Sequence, residues 1–242
     1  MTVVDIAPGT TTWQVPAGVT VLDKLEIWGN GGNGGSNAAG GGGGGGGGYI
    51  QFLNVTVPAN EVIDVEIAAG GTTGTDETQW DYINEVSSAP SSKAYGGANA
   101  SGRTGGAGSG LGGESSGTPD INNPGGTGGT NSVTATGGAG GGGAGGDEGA
   151  GQPGADVSSG TTGGTGGGGG TSDGTNPSTG GDGGNSTQAG GIGLTWGGGG
   201  GGGGAVSQAG GTGGAGHIRI TYTPAATGKP THMMNYARQR NK

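Results

Sequence analysis

The sequence predicts a mainly irregular fold with a small all-β base, in which a bundle of glycine-rich polyproline II helices is clamped by a short-stranded β-sheet or sandwich. Three observations carry this expectation. Nine consecutive glycines, Gly40 to Gly48, run directly into the strand-like Tyr49-Ile50, and a second run, Gly197 to Gly204, lies upstream of another strand-like stretch. Glycine and proline number 74 and 10 of 242 residues, a level that ordinarily marks low complexity or disorder. Yet the segments around the glycines alternate apolar and polar residues as half-buried strands do.

The base is expected from residues 1–28, 49–71 and 216–223. Val3 to Ile6 reads as a short edge strand, Pro8-Gly9 as a turn and Thr11 to Val15 as an extended segment. Val19, Val21, Leu25 and Ile27 share one parity, which predicts a half-buried strand ending at Trp28. Tyr49 to Val57 reads as the next strand, with a parity slip between Phe52 and Leu53 that predicts a bulge. Ile63, Val65 and Ile67 alternate cleanly with Asp64 and Glu66. Near the C-terminus Ile218, Ile220 and Tyr222 are expected to face inward, and His217, Arg219 and Thr221 outward.

Residues 29–48 and 72–215 are expected to form the glycine bundle and its loops. Residues 29–48 go out and return, with Ser36 to Ala39 as the bend. A polyproline II helix makes no internal hydrogen bonds, so its N–H and C=O groups point sideways and can bond to neighbours only where no Cβ intervenes. Interior helices must then be glycine throughout, whereas outer ones tolerate patterns such as Gly125-Gly-Thr-Gly-Gly-Thr130. Ordering each residue costs roughly 1–2 kcal/mol, and a net hydrogen bond returns about 0.5–1.5 kcal/mol. One such helix is therefore unstable alone, and a bundle needs its ends fixed. Residues 72–95, which are poor in glycine, read as an excursion with a surface of its own.

Charge and composition exclude several function classes. All 17 acidic residues and four of the eight Lys and Arg lie before residue 224, a formal −13, while the other four cations lie in the last 19 residues. An acidic body argues against nucleic-acid binding. No apolar run approaches a membrane span, so no membrane insertion is expected. Cysteine is absent, and the two histidines, His217 and His232, stand 15 residues apart. No disulfide, zinc site, Ser/His/acid set or P-loop can be assembled from these residues. The expectation is a non-enzymatic protein with no cofactor. Asp147, Glu148, Asp173 and Asp182 beside glycines lack the nine-residue period of calcium repeats and read as turn carboxylates.

Two residue sets remain as candidate sites. Trp80, Asp81, Tyr82 and Tyr95 in the excursion, with Trp196 before the second glycine run, are candidates for receptor contact, because exposed aromatics stack on sugars or anchor in protein pockets. A local mini-core explains them equally well. The basic C-terminal tail 224–242, glycine-free from Lys229 onward, with Lys229, Tyr236, Arg238, Arg240 and Lys242, is a candidate docking tail.

The order of several short motifs is more specific than any one of them. Trp13-Gln-Val-Pro-Ala-Gly-Val-Thr20, Trp28-Gly-Asn-Gly-Gly32, a glycine run ending at Tyr49, Thr56-Val-Pro, Val65-Glu-Ile-Ala-Ala-Gly-Gly71 and the final Gly-Gly-Ala-Gly-His-Ile-Arg-Ile-Thr-Tyr222 together resemble the glycine-rich domain of bacteriophage tail-fibre and virion appendage proteins. The resemblance covers residues 11–71 and 190–223; the region between matches in composition alone. It implies a phage fibre-tip adhesin whose receptor-contacting loops sit at the far end of a polyglycine sandwich. It further implies a virion location, other virion proteins and a host surface glycan or outer-membrane protein as partners, and a homo-oligomer, with a homotrimer as the expected form. The alternative is a purely structural virion component, such as a capsid decoration or fibre-base protein.

Overall fold

The structure is a computed structural model that describes residues 1–71, 77–81, 83, 86–88, 92–108, 118–170 and 178–225. Among the described residues nine short strands form its base: β1 (Thr2–Ile6), β2 (Thr12–Gln14), β3 (Val21–Trp28), β4 (Tyr49–Thr56), β5 (Val62–Glu66), β6 (Glu77–Trp80), β7 (Ser92–Tyr95), β8 (Ile121–Asn123) and β9 (His217–Tyr222). They pair antiparallel in a five-stranded sheet of order β1-β9-β3-β4-β8 and a four-stranded sheet of order β2-β5-β6-β7. The core lies between the sheets. Leu25, Ile27, Ile50, Phe52, Ile218 and Ile220 from the first meet Ile63, Val65, Trp80 and Ala94 from the second.

The expected strands are present, with three corrections. First, residues 77–80 and 92–95 are not an independent excursion: they are β6 and β7 and complete the second sheet, and 121–123 adds β8 to the first. Second, the parity slip at Phe52–Leu53 is not a bulge. Leu22 pairs with Val55 and Lys24 with Leu53, so neither strand gains a residue. Instead Asn54, with φ of 53°, stands opposite Asp23, and both strands lose their alternation at that step. This is why Leu22 is buried while Val21 is exposed. Third, the polar face of β9 does not face solvent. His217 and Thr221 are buried, as are Glu26 and Gln51 on the neighbouring strands. Tyr49 ties this second face together by hydrogen-bonding to Glu26 at 2.9 Å and Gln51 at 2.8 Å, while Lys24 reaches Glu26 at 3.2 Å.

The glycine segments leave the strand ends and return to them. Among the described residues there are twelve, running alternately away from the base and back. Their backbones bond sideways with a repeat of three residues. In the segment 40–48, Gly41, Gly44 and Gly47 donate to Gly203, Gly200 and Gly197; Gly42, Gly45 and Gly48 donate to Gly102, Ala98 and Tyr95; Gly43 and Gly46 donate to Gly129 and Gly126. Its carbonyls accept from three further neighbours, around 29–35, 106 and 139–145. Segments 197–204 and 137–145 are surrounded in the same way, and the three bond to one another.

These three segments are the interior, and the other nine close a ring around them. In ring order they are 29–35, 95–102, 104–108, 125–130, 150–157, 162–170, 178–185, 189–194 and 209–216, and the last bonds back to the first through Gly31 to Gly214 and Gly34 to Gly211. The ring follows chain order, with the interior segments as three inward detours. Absence of side chains makes this spacing possible: a Cβ on Gly44 would lie on the Gly32 carbonyl, and one on Gly199 on the Gly44 carbonyl. On the periphery, side chains satisfy N–H groups that lack a backbone neighbour. Asp156 accepts from Thr130, Asp182 from Gly166 and Asn185 from Gly163, at 2.6, 2.7 and 3.0 Å.

Candidate functional site

The predicted contact residues do not form one site. Trp80 is fully buried in the sandwich core, where it packs on Trp13 with ring centroids 5.8 Å apart and donates from Nε1 to Ser87 at 3.1 Å. Asp81 is also buried. Its carboxylate accepts the N–H groups of Val86 and Ser87, at 3.0 and 2.6 Å, and fixes the turn after β6. The pairing of β6 into the second sheet draws both residues inward, so neither side chain is offered to solvent. Tyr95 is half-buried on β7, and its carbonyl accepts the Gly48 N–H at 3.0 Å. Tyr82 lies outside the described residues, as do Lys229, Tyr236, Arg238, Arg240 and Lys242 of the tail.

Trp196 sits at the base end, in the turn between segments 189–194 and 197–204. Its backbone is left-handed, with φ of 73°. The indole stacks on His217, with centroids 4.2 Å apart and planes within 10°, and the Arg219 guanidinium lies 4.3 Å from its ring centroid. Trp28 packs beside it at 4.9 Å. Asp5 receives His217 Nε2 at 2.9 Å and Arg219 Nε at 2.8 Å on the same oxygen. Burial moves the Asp5 pKa upward, but the Arg219 and His217 hydrogen bonds and charges outweigh it, so the carboxyl ends below its usual value. His217 is lowered, because burial outweighs the pull of Asp5.

At the opposite end of the glycine segments six turns come together: 36–39, 101–104, 131–136, 158–161, 185–188 and 205–208. They are joined by hydrogen bonds from Val206 to the Ala38 carbonyl, Ala205 to Thr136, Thr136 to Gly160 and Ser186 to Thr161. Arg103 ties its own turn to two others, donating to the Ser132 carbonyl at 2.7 Å and the Asn37 side chain at 3.4 Å. No Asp or Glu occurs in these turns, although the chain carries a net −9, and Arg103 is their one charge. Ser, Thr and Asn supply most of the surface. Val133 and Val206 stand out of it, 82% and 69% exposed.

Val206 and Ser207 both take left-handed backbone, with φ of 56° and 58°. A β-branched residue there is a genuine outlier, costing roughly 1–3 kcal/mol and persisting only where its surroundings enforce it. Here the Val206-to-Ala38 bond and the adjoining bridge between Ala39 and Ala205 enforce it. Neither residue type nor spacing marks a left-handed valine, so these turn residues carry no signal in the sequence.

A two-sheet β clamp carrying a laterally bonded glycine bundle, with its connecting turns gathered at one end, defines a glycine-rich domain protein. The chain belongs to the glycine-rich domain family, whose match spans residues 5–223. Among curated proteins none matches it.

Proposed function

We propose that the chain is a phage virion surface protein, at a tail-fibre or appendage tip, that contributes to host-cell attachment through the turns at the far end of a rigid glycine bundle. In this reading the glycine segments are polyproline II helices. The three-residue repeat of their lateral hydrogen bonds supports that assignment, since such a helix has three residues per turn. At a rise of roughly 3.1 Å per residue, a nine-residue segment holds the turns roughly 28 Å from the base. The partners are other virion proteins behind the base and a host glycan or outer-membrane protein in front of the turns. The protein acts without a cofactor and not as an enzyme, and it works as a homo-oligomer.

The observation that carries the reading is the gathering of six carboxylate-free turns at one end of a bundle whose three interior segments bond their backbone N–H groups to neighbouring segments. A rigid support lowers the entropic cost of ordering a contact surface. Deleting residues 72–95 is no test, because it would remove β6, β7 and the core residue Trp80. The test is Val133→Asp with Val206→Asp, both at exposed positions. Particles carrying the pair should assemble normally and adsorb at least tenfold more slowly. Unchanged adsorption would favour the structural alternative, a capsid decoration or fibre-base protein.

A further inference from the structure

Beneath Trp196, at the end of the molecule remote from the turns, is a cavity of about 290 Å³. Its walls come from the end of β1 and the residues after it, from the 194–197 turn, and from the start of β9. The residues that matter are Asp5, Ile6, Ala7, Pro8, Trp196 and His217. The volume is close to the lower bound of small-molecule sites, enough for one ring-sized ligand.

The chemistry of the walls narrows that ligand. Ile6, Ala7 and Pro8 offer no polar side chain, and Trp196 adds an aromatic wall held in a strained backbone conformation. Strain of this kind concentrates at ligand clamps. Two side chains bring acceptors, the Thr195 hydroxyl and the Asp5 carboxylate. Asp5 gives Oδ1 to both His217 and Arg219, and among the described residues its Oδ2 takes no partner, while the side chain is 48% exposed. The Arg219 charge already balances Asp5, so the site has no excess charge with which to select an anion or a cation. What suits it is a neutral molecule with an apolar face for the indole and a hydroxyl to donate to a carboxylate oxygen.

We infer that this cavity is a binding site for a single neutral pyranose ring, either free or as one residue of a glycan. The ring's C–H face lies against Trp196 and one of its hydroxyls donates to Asp5 Oδ2. His217, itself a wall of the cavity, and Arg219 position both groups through the indole stack and the bonds to Asp5 Oδ1. The site lies on the base and is independent of the attachment reading for the distal turns.

The experiment is saturation-transfer NMR on the full chain with a panel of simple methyl pyranosides and N-acetylhexosamines. At least one sugar should receive transfer at its ring protons, with a dissociation constant on the order of 1 mM, the weak end of the affinity scale expected for so small a ligand. Asp5→Asn, which keeps an oxygen acceptor but loses its charge, should weaken it severalfold. Ala7→Trp is the decisive variant, because Ala7 is exposed and a large side chain there fills the cavity without entering the core. It should abolish transfer while leaving the melting temperature unchanged. Absence of transfer to every sugar in the panel, or transfer that survives Ala7→Trp, would overturn the assignment.

Discussion

At the scale of single residues, the molecule distinguishes between glycines that are spacers and glycines that are required. Gly44 touches three neighbouring segments, and a Cβ there would meet the Gly32 carbonyl, part of a backbone that cannot move alone. A Cβ on Gly102, in a distal turn, would meet only the Asn37 side chain, at an ordinary 3.7 Å, but its φ of 58° is left-handed. Gly44→Ala should therefore cost at or beyond the upper end of the roughly 1–3 kcal/mol typical of overpacking. Gly102→Ala should cost only the roughly 1–2 kcal/mol of a left-handed alanine. Chemical denaturation of the two variants compares them, and equal losses would contradict the packed interior. A second prediction concerns His217. Its folded pKa lies below the free value of 6.5, so between the two values the unfolded chain binds a proton that the folded chain does not. That contribution is fully present above about 6.5 and is lost as pH falls through the window beneath it. Asp5, also lowered, acts in the same direction further into acid. The melting temperature should drop on acidification from neutral pH, and less steeply in His217→Gln; identical slopes would show that His217 is not the group responsible.

At the scale of elements, β9 closes the structure. It is the last strand among the described residues, yet it lies between β1 and β3, and Ile218 and Ile220 are fully buried there. The segment that feeds it, 209–216, is also the last member of the ring and bonds to the first. A chain ending before residue 217 should fail to give a cooperative thermal transition, since β1 would have no partner and β3 only one. A cooperative melt from such a chain would refute this role. The same scale shows what could be read from the sequence. Alternation located the strands from 1–28, 49–71 and 216–223, because these have one apolar face. It missed β6, β7 and β8, which are only three or four residues long. It also misjudged His217 and Thr221, because the polar side of the first sheet is covered too and alternation cannot report a second buried face. The interior segment 137–145 escaped notice because Ala139 and Ala144 interrupt its glycines. Both methyl groups are fully buried, Ala144 against Trp28 and Tyr49, and Ala139 with Ala135 and Val157.

At the scale of the whole molecule, two ends of different character are joined by a bundle with few side chains inside it. The acidic residues concentrate at the base, where Asp5, Asp23, Glu26, Glu61, Asp64 and Glu66 all lie on the strands or the loops between them, whereas the distal turns carry none. The sequence disclosed the bundle through its uninterrupted glycine runs and the outward bend at 36–39. It did not disclose the distal surface, which is assembled from six turns distant in sequence and has no aromatic marker. The account rests on the claim that glycine backbones saturate one another laterally and make a solid interior. Amide hydrogen exchange followed by mass spectrometry tests this most directly. Peptides covering 40–48, 137–145 and 197–204 should exchange as slowly as β3 and β9, and only on global unfolding. Exchange of those three segments at the rate of an unstructured chain, with the strands still protected, would contradict it.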